Sequence, residues 1–301
     1  QASIHLHPMT DPPRPPAWSG DLRDVDESTP PFDQLRGLHR LAPERSGRAS
    51  WAHARHQLYA ARHKTTRANV LVKLTSKPGV VYEKDLANEI ATVVSNNGAL
   101  PASRHFPVLI DHGRLRDGRL YLMMSLFDEW PLATTIVASP GPRQRRVHLQ
   151  TMIEAARVMA DLHAIQIWHV DLNPINILAR WQGGAPVVRI VDFESSYDVA
   201  RHSAGTFYDP PTAPGFSAPE LSRRPPDARA DVFSLGAVLY TVLAGYEWTR
   251  VGNVHRCIEA DREIAPGLKD VLLLAVAPEP AGRFQSLGDF GAALICCLDR
   301  V

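Results

Sequence analysis

His169-Val170-Asp171-Leu172-Asn173-Pro174-Ile175-Asn176-Ile177-Leu178 decides how this chain is read. An acid and an amide stand five residues apart on a loop that Pro174 keeps from continuing as helix, and a short apolar strand is predicted at 175–179. A carboxylate so placed can orient a hydroxyl nucleophile, and an amide oxygen can ligate a hard cation such as Mg2+. Further on, Val191-Asp192-Phe193 ends a second short strand, predicted at 187–192, with the other oxygen ligand that such a cation needs. Ahead of the loop, Leu149, Met152, Ile153, Ala156, Met159, Ala160 and His163 recur at i, i+3, i+4 and i+7, the stripe of an amphipathic helix.

A cation completes the set. The chain carries 33 lysines and arginines, yet its lysines are confined to positions 64, 73, 77, 84 and 269. Lys73 lies in Val70-Leu71-Val72-Lys73-Leu74, where strand alternation turns its ammonium to the face of Leu71 and away from Val72 and Leu74. A buried ammonium needs an anion. Glu89, on a helix predicted over 84–94 with Leu86, Ile90, Val93 and Val94 at helical spacing, is the candidate that would hold Lys73 against a phosphate. One lysine with the oxygen donors Asp171, Asn176 and Asp192 is equipment for phosphoryl transfer.

At 301 residues and 45% hydrophobic, the chain suffices for about two domains and a substantial core. A formal net charge of +1 supplies no bulk field for nucleic acid or an anionic membrane, so neither is expected as a partner. The longest apolar stretch, 232–244, is too short to span a bilayer, and residues 1–16 lack the charged-then-apolar pattern of a leader. Opening on Gln1 rather than Met suits a trimmed or internal segment. Cys257, Cys296 and Cys297 form neither a disulfide framework nor a spaced metal box, which fits a reducing, cytoplasmic compartment. Richness in arginine and alanine suits a bacterial source.

Prolines 8, 12, 13, 15, 16, 30 and 31 mark residues 1–35 as a proline-rich N-terminal extension. Residues 36–127 read as a strand-rich lobe: a hairpin of 58–60 and 70–74 around a polar turn, the helix stopped by Asn96-Asn97-Gly98, then strands near 106–110 and 119–126. Residues 128–301 are mostly helical, with a buried helix over 231–244 and a last helix opened by the capping spacing Ser286-Leu287-Gly288-Asp289. The expected fold class is α+β and bilobal, a small antiparallel-sheet lobe with one helix followed by a larger helical lobe.

In this order the chain resembles the eukaryotic-like (Hanks-type) protein kinase family, whose signatures include V-A-I-K, H-R-D-L-x-x-x-N, D-F-G and A-P-E. Here they read Val70-Leu71-Val72-Lys73, His169-Val170-Asp171-Leu172 through Asn176, Asp192-Phe193-Glu194 and Ala218-Pro219-Glu220. The resemblance covers about 40–301 and extends to Asp231-Val232-Phe233-Ser234-Leu235-Gly236 and to Pro280-Ala281-Gly282-Arg283-Phe284, whose arginine is implied to pair with Glu220. It implies that Lys73 pairs with Glu89 and contacts the α and β phosphates of ATP, and that Asp171 accepts the substrate hydroxyl proton. Asn176 and Asp192 would hold Mg2+, and Asn173 stands where relatives usually carry a lysine near the transferred phosphate. Met124-Ser125-Leu126-Phe127 resembles the strand end and hinge that meet adenine, with Met124 as gatekeeper, and Leu58, Leu71 and Leu178 are implied to line the nucleotide. Asp231 is implied to hold the backbone of the catalytic loop, and Phe193 and His169 to stack between the lobes.

Three departures bear on the nucleotide. The glycine-rich loop is expected just before Leu58, yet Trp51-Ala52-His53-Ala54-Arg55-His56-Gln57 holds no glycine, which obliges Trp51, His53 and His56 to swing outward or to meet the nucleotide in another way. Leu71 replaces the small alanine beside adenine, and Glu194 replaces the D-F-G glycine, adding a negative charge near a metal ligand. Val170 replaces an arginine that in many relatives pairs with an activation-segment phosphate; Ser195, Ser196, Tyr197, Ser203, Thr206, Tyr208 and Thr212 are candidate phosphoacceptors there. The leading reading is an ATP- and Mg2+-dependent protein kinase acting on Ser/Thr of a protein substrate, with autophosphorylation among its reactions. One alternative is a pseudokinase, a nucleotide-binding or scaffolding module without phosphotransfer. Another is a small-molecule phosphotransferase resembling the aminoglycoside kinases, against which Ala218-Pro219-Glu220 with Arg283 argues.

Overall fold

Alternation along two neighbouring segments sorts their side chains onto opposite faces of a sheet. In the computed structural model, which describes residues 25, 27–41, 56–95, 104–203, 215–245 and 253–298, that sheet has five antiparallel strands. They are β1 (Leu35–Arg40), β2 (His56–His63), β3 (Asn69–Thr75), β4 (Leu109–Arg114) and β5 (Leu120–Ser125), in the order β1-β2-β3-β5-β4, with α1 (Val80–Ser95) between β3 and β4. Tyr59, Ala61, Val70, Val72 and Leu74 form a cluster with Val25, Phe32, Leu35 and Leu38. Leu71 belongs to a different cluster, with Met124 and with Leu86 and Ile90 of α1. Each fully buried Leu or Met contributes about 1.5–3 kcal/mol.

Strand β1 is absent from the sequence expectation, for a physical reason. A bulge between Arg36 and His39, at Gly37 with φ +67°, brings Leu35 and Leu38 into one cluster three residues apart, so a search for period two passes over them. Packing also runs through residue 35, the expected end of the extension: Phe32 is buried and meets Tyr121 edge-on at 6.1 Å. Of the stretch 51–57 on which the glycine-rich-loop expectation rests, His56 and Gln57 open β2, and residues 51–55 lie outside the described residues. Trp51 and His53 lie outside the described residues, as does the helix stop at 96–98. The strand expected near 106–110 is β4, a few residues later, because Phe106 instead joins the core of the helical lobe.

That lobe is built around α2 (Pro142–Ala164), which buries Leu149, Met152, Ala156 and Met159 of the expected stripe and Leu162 beside them. Short strands β6 (Trp130–Pro131), β7 (Ile167–Trp168), β8 (Ile177–Gln182), β9 (Ala185–Ile190) and β10 (Tyr197–Asp198), then α3 (Val199–Ser203), carry the chain around the interlobe face. Helix α4 (Ala228–Ala244) is buried from Ala230 to Leu243, as its all-round apolar sequence requires. Gly236 lets it approach α6 (Pro266–Ala275), since a Cβ there would come within 2.8 Å of that of Ala275. Helix α5 (Val254–Ala260) precedes α6, and α7 (Leu287–Ile295) is opened by Ser286, whose hydroxyl accepts the Asp289 N–H at 3.1 Å. Among the described residues no helix is long and apolar enough to cross a membrane.

Candidate active site

Strand β3 delivers Lys73 into the cleft while Val72 and Leu74 are anchored in the cluster on the other side. Its Nζ lies 2.6 Å from Glu89 Oε2, 2.7 Å from Asp192 Oδ1 and 3.2 Å from Glu194 Oε1. Glu89 reaches it because α1 packs Leu86 and Ile90 against the sheet, and its other oxygen accepts the Phe193 N–H at 3.1 Å. Burial alone would depress the Lys73 ammonium; Asp192, Glu194 and Glu89 outweigh it and hold the group well above the ordinary lysine value. Burial pushes Glu89 up to about 7 against the pull of Lys73. Desolvation alone would push the half-buried Glu194 up, yet Lys73 and His56 bring it down to about 2. Three carboxylates face one lysine, so the pocket has a surplus of negative charge.

The loop 169–178 is fixed from beneath by Asp231, fully buried near the start of α4. Its Oδ2 accepts the His169 N–H at 2.8 Å, and its Oδ1 accepts the Val170 N–H at 2.7 Å. The chain turns through Val170 at φ +69°, a conformation that costs a β-branched residue and persists because both neighbouring amides are tied down. Beyond the turn, Asn173 and Asn176 donate their amides to the Asp171 carbonyl at 3.1 and 2.9 Å. Asn176, the expected metal ligand, is buried. The oxygen of Asn173 accepts the Ile175 N–H at 2.9 Å, so this residue, expected beside the transferred phosphate, is engaged at both ends in shaping its own loop. Asp171 Oδ1 is buried and, among the described residues, has no hydrogen-bond partner. Burial, reinforced by Asp192, pushes Asp171 up to about 7, where a carboxylate can take up a proton at neutrality.

The donor set thus fits a nucleotide with its cation: a lysine for phosphate, an unanswered acceptor for a hydroxyl, and carboxylate and carboxamide oxygens for Mg2+. Comparison agrees, since the model of the protein kinase domain matches residues 56–269. The chain belongs to the protein kinase domain family. Ribosomal protein S6 kinase alpha-2 of Mus musculus is 33% identical over 186 residues, 61% of this chain and 24% of that protein. Serine/threonine-protein kinase Pkn1 of Myxococcus xanthus is 29% identical over 191 residues, 58% of this chain and 27% of that protein. The chain spans about a quarter of the length of these relatives. The crystal structure of the Mycobacterium tuberculosis PknI kinase domain shares the fold, with a TM-score of 0.57 at 21% identity over 80% of this chain and 91% of that chain.

Within this kinase domain, Leu58 pairs with Lys73 across β2 and β3, and Leu71 with Met124 across β3 and β5. Met124 is buried, and Leu58, Leu71 and Leu178 are half-buried. Ser125 donates its N–H to the Val108 carbonyl and accepts the Val108 N–H on its hydroxyl, both at 2.9 Å, so these two groups pin the strand end rather than face a ligand. Phe127 lies under the Arg189 guanidinium at 4.9 Å. His169 and Phe193 meet at 5.1 Å with their rings tilted by 55°, and Phe106 is edge-on to Phe193 at 6.0 Å.

Sequence reading missed the tie between α1 and the stretch after Asp192. Asn88 donates to the carbonyls of Glu194 and Ser196 at 2.9 Å each, and Thr92 shares a 2.8 Å hydrogen bond with the Ser196 hydroxyl. The available signal was polar residues at i−1 and i+3 of Glu89, on the buried side of the helix. Ser196 is fully buried by this tie, which removes it from the accessible phosphoacceptors; Thr206, Tyr208 and Thr212 lie outside the described residues. His56, expected to swing outward or to meet the nucleotide, places Nδ1 2.8 Å from Glu194 Oε1 and Nε2 3.1 Å from the Tyr82 carbonyl.

Proposed function

We propose that the chain is an ATP- and Mg2+-dependent protein kinase that transfers the γ-phosphate to a Ser or Thr hydroxyl of a cytoplasmic protein substrate, copies of itself included. The buried, unanswered Asp171 Oδ1, set beside the Lys73–Glu89–Asp192 cluster, carries this reading. Adenine enters between Leu58, Leu71 and Met124 on one side and Leu178 on the other, against the carbonyl of Ser125 and the backbone of Phe127. Lys73, steadied by Glu89, binds the α and β phosphates. Asn176 and Asp192 would hold Mg2+, which supplies neutralisation of phosphate charge. Asp171 orients the substrate hydroxyl, and the hydroxyl proton passes to Oδ1 as the oxygen attacks the γ-phosphorus and the bond from that phosphorus to the β–γ bridging oxygen breaks, releasing ADP. The relatives named as serine/threonine kinases support the choice of acceptor.

Incubation with labelled ATP, Mg2+ and a generic basic protein tests the reading, with Asp171→Asn as control. Label above the control is expected in the protein itself or in the added substrate. ATP binding without any transfer would replace the enzyme by a pseudokinase, whose motive is the Glu194 carboxylate standing on Lys73.

A further inference from the structure

Two departures from the family pattern, far apart along the chain, meet in space. Glu194 Oε1 is shared between His56 Nδ1 at 2.8 Å and Lys73 Nζ at 3.2 Å, and the histidine is the nearer of the two. The second ring nitrogen of His56 faces the Tyr82 carbonyl at 3.1 Å. Both ring nitrogens therefore face acceptors, a pairing that only the doubly protonated imidazolium satisfies at once. Among the three carboxylates on Lys73, Glu89 is fully buried and also holds the Phe193 N–H, and Asp192 is the candidate metal ligand. Glu194 has the longest contact, its side chain is 23% exposed, and its backbone carbonyl is held separately by Asn88. Its carboxylate is the one that can leave Lys73 without disturbing the rest.

We infer that Glu194 is a resident counter-anion of Lys73, displaced by nucleotide phosphate, and that His56 is the partner that takes this carboxylate over, so that the two form a clasp across the phosphate end of the cleft. The inference rests on the nucleotide-binding reading above. A phosphate oxygen reaching Lys73 meets a surplus of negative charge, and like charges a few ångströms apart in a partly buried site repel strongly. Removing the Glu194 charge lowers that barrier. Removing His56 raises it, because Glu194 is left with Lys73 alone.

Calorimetric titration with ATP, in EDTA and in Mg2+, of the wild type, Glu194→Gln, His56→Ala and the double variant tests this. Glu194→Gln is expected to tighten ATP about tenfold and His56→Ala to weaken it about tenfold. In the double variant the His56 change should have no further effect. Thermal denaturation confirms that each variant is folded, and His56→Asn, which keeps a donor, stands in if the alanine variant is not. Weaker ATP for Glu194→Gln in Mg2+ alone would make Glu194 a metal ligand and overturn the clasp. A His56→Ala loss of equal size in both backgrounds would mean direct contact with phosphate and overturn it too. Equal affinity in all four proteins, with Lys73→Met abolishing binding, sinks the clasp and leaves the nucleotide reading standing; no binding by any of them, Glu194→Gln included, removes both.

Discussion

Arg283 and Glu220 meet in the helical lobe through two parallel bonds of 2.7 Å, and the remaining guanidinium N–H groups donate to the carbonyls of Ala277, Pro278 and Arg229 at 2.7, 3.0 and 3.1 Å. One cation has one anion, and all five donors are satisfied. Lys73 in the cleft is the opposite case, with three carboxylates on one ammonium and an unanswered carboxylate oxygen on nearby Asp171. Both clusters are buried. An ion pair whose every group is matched within the fold has no capacity left for a ligand, whereas a cluster with surplus charge and an open acceptor keeps its structure only by waiting for one.

The largest expected effect falls on the open acceptor. Asp171→Asn should slow phosphoryl transfer by about 10²- to 10⁴-fold while ATP affinity and melting temperature stay near those of the wild type. Transfer at the wild-type rate would place Asp171 with the structural groups and dissolve the contrast. Next comes the saturated pair: Arg283→Ala leaves Glu220 buried without its cation and should cost about 3–5 kcal/mol in denaturant unfolding. Lys73→Met should abolish ATP binding with a smaller loss of stability, because the side chains of Asp192 and Glu194 are partly exposed, at 36% and 23%, and can turn to water. Equal losses for the two variants would mean that the cleft lysine is structural as well.

The pH dependence sharpens the same comparison. Asp171 is raised to about 7 by burial and then by the charge of Asp192, and only its ionised form accepts a proton. Transfer should therefore rise with pH through that region and fall below it as the carboxyl becomes protonated. With Mg2+ held at Asp192 the limb should lie below that value, because the cation cancels the Asp192 contribution. A limb that survives in the residual activity of Asp171→Asn would assign it to another group. The smallest effect belongs to the cap of α4, where Asp227 accepts the Arg229 N–H at 2.9 Å. Asp227→Ala should lower stability by about 1 kcal/mol and leave ATP affinity unchanged.

Most of the site was legible because its residues sit in segments with strong local patterns. Alternation at 70–74 aimed Lys73, helical spacing at 86–94 placed Glu89, and the proline loop carried Asp171 and Asn176. The Asn173 side chain met competition that no motif reveals, since its amide and its oxygen both satisfy neighbouring backbone groups. Strand β1 was hidden by its bulge, which breaks the period that identifies a strand.

The amino-acid order alone determined the bilobal class, helices α1, α2, α4 and α7, most strands, and the identity of the charged residues in the cleft, since each of these follows from periodicity or spacing within a few turns of chain. Tertiary structure alone decided which charges are matched and which are in surplus. The approach of β2, α1 and the stretch after Asp192 brings His56 and Glu194 to one point and strips water from Lys73. Proximity between distant segments and the loss of solvent around them are properties of the packed molecule, and no local stretch encodes either.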